Sequence, residues 1–379
     1  MGSVEISSGK PTPLEQSGHP LVFLAAAGDE AAAHGEEFRS EVMGLGQFQK
    51  EGLVTDLATG RAWRLVADEG KYLRGTDMGP APLMHWAAGL HGDVTMRIAD
   101  LAQEAGIDFS ELDVSFAQGF ASKGSFARGE AVALVFDLKW KVAMRTGAPK
   151  PAVESVVEEA LRSSPAVGAL TGELEGVFAL SANGRAVPVL GVPQSHAPAE
   201  VDPFLRYANR PSPVEAETLT EELQWKQPAS EAAQQELGDD QSGTIAFYVC
   251  GSGPYRVDSG LVESRIDFPG AGASRWTLIS DRTNRRAPSP LAYFSLGTAF
   301  CYHTQLCRYV AVRRLPAGSP RLVQGSTFTG EPFDTQLFIN GSVDDAQAKS
   351  LLTAAANTCY AHRALTVPVE SGQTIEVQA

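Results

Sequence analysis

Ala287 to Leu306 reads A-P-S-P-L-A-Y-F-S-L-G-T-A-F-C-Y-H-T-Q-L, and its partner near the C-terminus, Asn357 to Leu365, reads N-T-C-Y-A-H-R-A-L. Pro288 and Pro290 suit a helix entry, because a first-turn residue needs no amide donor and proline holds φ near the helical value. Helix is therefore predicted from Leu291 onward. Leu291, Ala292, Tyr293, Phe294, Leu296, Ala299 and Phe300 are apolar around nearly the whole circumference, which only an element covered on all sides tolerates. The prediction is a central buried helix with Cys301 in its middle.

Composition sets the bounds outside these stretches. With 379 residues, two domains are the default expectation. An apolar fraction of 43% with 20% charged residues describes a soluble globular chain, and a formal charge of -14 argues against a nucleic-acid partner, whose phosphates need a basic surface. The apolar run from Pro20 to Gly28 follows Glu15 and His19 rather than a basic segment, so a signal peptide is not expected. No run approaches the roughly 18 apolar residues of a membrane span. Four cysteines, Cys250, Cys301, Cys307 and Cys359, are too sparse for a secreted disulfide scaffold. A reducing cytoplasm is the expected compartment.

Taken in order, residues 1–35 are predicted as a partly ordered extension, with order beginning near Phe38. Strands are expected at Ser40 to Gln49 and Arg61 to Val66 with a Thr59-Gly60 turn between them. A proline-led helix within Gly75 to Ile107 should end at Gly106, a C-cap glycine. Strands follow at Leu112 to Phe116 and Ala131 to Val142, then a helix at Pro151 to Arg162. Residues 191–240, with prolines at 198, 203, 211, 213 and 228 and many glutamates, read as a linker with a short helix at Val214 to Leu223. Beyond it come strands at Thr244 to Cys250, Gly260 to Ile266 and Trp276 to Ser280, the Pro290 helix, strands at Arg321 to Phe328 and Thr335 to Ile339, and a helix at Asp344 to Ala356.

The two halves superpose on each other as sequences. Aligning Pro82 with Pro290 puts Trp86 on Phe294, Gly89 on Gly297 and Asp93 on Cys301, while Ser164-Pro165 falls on Cys359-Tyr360. This reads as an internal duplication that keeps thiols in the second copy. Trp86 and Phe294 would pair as core aromatics about the pseudo-twofold or line an apolar pocket. Asp93 is either a helix acid or an acid lent across that interface.

A proline eleven residues before a mid-helix cysteine, with a second cysteine just after a C-terminal helix, resembles the OsmC/Ohr family, and G-T-D-M-G-P-A-P-L resembles that family's helix entry. The resemblance implies an α+β fold of two tandem OsmC-like domains, 36–190 with its cysteines lost and 241–379 with Cys301 and Cys359. Each would be an antiparallel-rich sheet with a long buried central helix, and the pair would pack as an intramolecular pseudo-dimer. It further implies a thiol peroxidase, with Cys301 peroxidatic, Cys359 resolving, and an arginine before the helix, Arg282, Arg285 or Arg286, or Arg74 from the first half, activating the thiol. An organic hydroperoxide or other apolar small molecule would be the substrate and a dithiol the reductant, with no cofactor, no membrane partner and homo-oligomers left open. Leu291 stands where the family carries an acid, and Tyr360 where proline is usual.

Other chemistry stays open. The mid-helix thiol has a simpler role as a small buried hydrophobe. His303 lies four residues before Cys307, and with Cys359 and His362 they could hold a metal, although C-x-H-x-x-x-C is not an established zinc spacing. His303 and His362 could instead contact a different substrate, or His362 and Arg363 could merely neutralise a helix end. A non-catalytic protein binding an apolar ligand between the repeats completes the set. Cys250 reads as structural.

Overall fold

The computed structural model describes residues 20–46, 48–206, 211–214, 222–228, 245–268, 274–369 and 371–378. Its first half contains β1 (Val22–Ala26), β2 (Glu37–Gly46), β3 (Gln49–Asp56), β4 (Ala62–Ala67), α1 (Pro82–Glu104), β5 (Phe109–Lys123), β6 (Val132–Thr146), α2 (Lys150–Ser163), α3 (Pro165–Thr171), β7 (Val177–Ala182) and β8 (Arg185–Val187). After α4 (Pro203–Arg206) and β9 (Gln224–Gln227), the second contains β10 (Ile245–Arg256), β11 (Leu261–Asp267), β12 (Arg275–Asp281), α5 (Pro290–Arg313), β13 (Arg321–Thr327), β14 (Asp334–Ile339), α6 (Asp345–Thr358), α7 (Tyr360–Thr366) and β15 (Ser371–Gln378). The chain is α+β.

The predicted buried helix is α5. Every residue from Pro290 to Leu306 is buried, with Ser289 capping the first turn through Ala292 N. Its counterpart α1 is equally buried and stops where expected, with Gly106 at φ +67° supplying the left-handed residue after the helix end. The helices cross at the two glycines that the sequence alignment pairs. A methyl on Gly89 would lie 2.6 Å from the Pro290 carbonyl oxygen, and one on Gly297 would lie 2.7 Å from Trp86 Cα. Trp86 and Phe294 meet beside the crossing with ring centroids 5.4 Å apart. Equivalent residues thus contact each other reciprocally, as about a twofold axis.

The sheets carry the same symmetry. One runs β1-β4-β3-β2-β13-β14-β7-β8 and the other β15-β6-β5-β10-β11-β12-β9. Three antiparallel strands of one half (β2 to β4, or β10 to β12) continue into two of the other (β13 and β14, or β5 and β6), and a parallel strand (β7 or β15) follows. Phe38 of β2 pairs with Ser326 of β13, and Phe116 of β5 with Gly251 of β10. Helix α5 lies on the first sheet and α1 on the second, so the helix pair is enclosed between two mixed sheets. The segment 191–240 divides the chain in sequence, while both sheets draw strands from each side of it.

Several local expectations change. The extension contains β1, which pairs with β4 and buries Val22 and Phe23; that burial is why the Pro20 to Gly28 run is apolar, and order begins before Phe38. The Ser40 to Gln49 stretch divides into β2 and the start of β3, which pair antiparallel. The Leu112 to Phe116 strand extends to fifteen residues in β5, since its outward positions are polar on a half-covered sheet. The linker supplies β9 to the edge of the second sheet. Residues 215–221, within the helix expected at Val214 to Leu223, lie outside the described residues.

Candidate functional site

Cys301 sits mid-way along α5, and Cys359 occupies the junction of α6 and α7, at the N-cap of α7. Both thiols are buried and unbridged. Burial pushes Cys359 well above the ordinary thiol range, and a hydrogen bond with Cys301 and that neighbour's charge push it further; the His362 and Ala361 amides oppose this without prevailing. Cys359 is thus held as a neutral thiol against Cys301. In the first half the aligned positions carry Asp93 and Ser164, and the Ser164 hydroxyl donates to Asp93 Oδ2 at 2.5 Å. Ala166 N also donates to that oxygen, at 3.1 Å. Asp93 therefore binds the start of α3 within its own half and is not lent across the interface.

His362 completes the thiol site. Its Nδ1 lies 3.2 Å from Cys359 Sγ and its Nε2 3.3 Å from Thr335 Oγ1. Burial lowers its pKa to about 4, so the imidazole is neutral at pH 7. Phe178 and Tyr302 flank the ring, with centroids 5.5 and 5.3 Å away. The same histidine lines a cleft of about 90 Å³ together with Gly176, Phe178, Pro193, Asn357 and Arg363.

On the other side of Cys301 the first half contributes a loop. Glu69, buried, accepts from Thr304 Oγ1 at 2.8 Å and from the Tyr72 hydroxyl at 2.7 Å. Thr304 lies one turn beyond Cys301, and Tyr72 is within electrostatic reach of that sulfur. Tyr360, next to Cys359, stacks among Phe120 and Phe247 at 5.5 and 5.1 Å. Through Tyr360, which both sulfurs reach electrostatically, this aromatic cluster adjoins the thiol pair.

The predicted arginines are engaged elsewhere. Arg282 pairs with Asp100 and donates to the Met96 carbonyl on α1, beyond Asp93 and so beside the first-half counterpart of the site. Arg285 donates to Glu30 O, and Arg286 to Ser259 O. Pre-helix spacing is compatible with all three, and it is the local acids and carbonyls that direct them away. Arg308, two helical turns from Cys301, acts on Tyr360 beside the thiols while lying 4.4 Å over the Phe126 ring. Arg74 is exposed.

His303 and His362 do not converge. His303 Nε2 meets the Pro320 carbonyl at 2.9 Å and its Nδ1 meets Cys307 Sγ at 3.6 Å, which makes it a satisfied core histidine. The four-residue Cys/His arrangement is thereby divided, and among the described residues no three His, Cys, Asp or Glu are grouped to hold a metal. Burial raises Cys307 and Cys250 to about 11, so neither ionises near neutrality. Trp86 and Phe294 are fully buried at the helix crossing, away from any described cleft.

Four buried histidines give a pH prediction. Desolvation lowers His85 and His303 to about 3 and His91 and His362 to about 4, from an ordinary 6.5. The unfolded chain then binds more protons below 6.5, so stability is complete above that pH and is lost as pH falls toward 4. Each histidine should contribute up to ~1.4 kcal/mol per pH unit in that window. Urea midpoints at pH 7.5, 6 and 5 should fall progressively, more shallowly in His91→Gln; a flat profile would show that these rings titrate as freely folded as unfolded.

Glu69, Tyr72 and Thr304 are given no role by the sequence, and Tyr360 figures there only as a departure from the family's proline. The signal for the first two was present, since Asp68-Glu69 are acids directly after the apolar β4 run, and a buried acid in a pre-helix loop calls for a partner. Within the described residues no helix is long and apolar enough to cross a membrane. No protein-family model matches the chain, and no curated protein matches it in sequence.

Proposed function

We propose that this chain is a thiol redox enzyme of OsmC/Ohr type, two tandem copies folded as an intramolecular pseudo-dimer, that reduces organic hydroperoxides through Cys301 and Cys359. The observation that carries the reading is the buried, neighbouring pair of thiols, set where the other half holds Asp93 and Ser164. Cys301 as thiolate attacks the terminal peroxide oxygen; the O–O bond breaks, the alkoxide leaves and takes a proton to become the alcohol, and Cys301 becomes a sulfenic acid. Cys359 then attacks that sulfur, forming the disulfide and releasing water. An external dithiol supplies two electrons to restore both thiols, a cycle suited to a reducing cytoplasm.

The aromatic cluster of Phe120, Phe247 and Tyr360 favours an apolar organic peroxide over hydrogen peroxide. The test is intact mass and thiol count on reduced protein treated with one equivalent of an organic hydroperoxide. Two of the four thiols should be lost to a Cys301–Cys359 bridge. In Cys359→Ser the bridge should be replaced by a trappable Cys301 sulfenate, and unchanged thiols in the wild type would overturn the proposal.

A further inference from the structure

The disulfide step proposed above requires a proton to leave Cys359, a sulfur wholly removed from solvent. Its thiol has one proton and two neighbours in reach, Cys301 and His362 Nδ1. The hydrogen bonds around His362 fix which nitrogen can receive it. Gln324 Nε2 donates to the Ser295 carbonyl and to Ser326 Oγ, at 3.1 Å each, which orients the amide and leaves Oε1 facing Thr335. The Thr335 hydroxyl donates to that oxygen at 3.4 Å, so its own oxygen is left to accept from His362 Nε2–H at 3.3 Å. With Nε2 protonated, Nδ1 presents a lone pair to Cys359. All four polar side chains in this relay are buried.

We propose that His362 is the acid–base residue of Cys359, taking its proton as the disulfide forms, handing it to the departing hydroxide, and relaying a proton back to the sulfur when the disulfide is reduced. The inference rests on the thiol-peroxidase reading. The Cys359 proton passes to Nδ1 while its sulfur bonds to Cys301; the S–O bond of the sulfenic acid breaks, and the departing hydroxide takes that proton on from the imidazolium to leave as water, which returns the ring to its neutral form. When a dithiol reopens the bridge, the Cys359 thiolate recovers a proton that the dithiol gives up, passed through the imidazole. Burial keeps the ring neutral before the step, as a base must be. The cleft against which His362 stands, beside Gly176 and Asn357, gives the ring an outer face within reach of a small solute.

The experiment follows the Cys301 sulfenate after a single addition of organic hydroperoxide, by quenching into a 1,3-dione probe and intact mass, in wild type, His362→Gln, His362→Gly and Thr335→Val. Sulfenate formation should be unchanged in all four. Its conversion to disulfide should slow about a hundredfold in His362→Gln, which fills the space but cannot carry a proton, and by a few-fold in Thr335→Val, which keeps the imidazole but loosens its tautomer. Added imidazole should restore His362→Gly through the cleft and leave His362→Gln unaffected. Resolution at the wild-type rate in His362→Gln and Thr335→Val overturns the role of His362 and leaves the peroxidase reading intact. Absence of any sulfenate or disulfide in the wild type overturns both.

Discussion

Serine at position 301 should leave the protein folded and abolish hydroperoxide-dependent thiol loss, slowing peroxide consumption by at least about a thousandfold. A hydroxyl is smaller than a thiol, so nothing is overpacked, and Cys359 beside it offers a hydrogen-bond partner. The first half shows that the position needs no sulfur to fold, since Asp93 occupies its counterpart with Ser164 and Ala166 N satisfying it. Cys307 and Cys250, raised to about 11 by burial, cannot take over as thiolates. Thiol titration after treatment should therefore return every remaining cysteine. Loss of two thiols from Cys301→Ser would assign the chemistry to another cysteine and overturn the site.

Valine at Gly297 should be the most damaging single change in the fold. Its Cβ would strike the backbone nitrogen of Trp86 and lie 2.7 Å from Trp86 Cα and 2.9 Å from the His85 carbonyl carbon, atoms that no rotamer change can move aside. The helices would have to separate, opening the fully buried Trp86 and Phe294 contact. Overpacking plus the lost contact should cost upwards of about 4 kcal/mol, despite valine's better helix propensity than glycine. Gly89→Val should cost as much, because it strikes Phe294 N and the Pro290 carbonyl at the equivalent place. Gly325→Ala on β13, with open space at its Cβ, should change little. Thermal unfolding followed by circular dichroism separates the three; a Gly297→Val protein that melts like wild type would show that the helices do not pack this closely.

The central helices were legible because burial on every side leaves its mark residue by residue, as in Leu291 to Phe300, and because a proline start and a glycine after the end are local signals. The aligned glycines and the Cys301/Asp93 correspondence were legible for the same reason. Strand partners were not. That β2, paired with β3 on one side, would take β13 of the other half on its second edge depends on long-range packing that no window around Phe38 contains. The thiols were visible by type and position, whereas Glu69 and Tyr72 arrive at Cys301 from a loop in the other half, and Arg282 was chosen on spacing, which is silent about Asp100. His362 was visible as a residue near Cys359, but the direction of its hydrogen bonds required Thr335 and Gln324 from two different strands.

The exchange of strands between halves has a consequence for how the protein is made. The edge of β2 at Phe38 acquires its neighbour only when Ser326 has been synthesised, about 290 residues later. At ribosomal rates of about 5–20 residues per second, this edge waits roughly 15–60 s for its partner. During that interval the nascent first half presents an unpaired strand edge and the bare face of α1 that will receive α5, both adhesive surfaces. Closing of this sheet must therefore await synthesis of the second half, and the yield of native protein in a cell should depend on chaperone capacity more than that of a protein whose sheets close strand by strand.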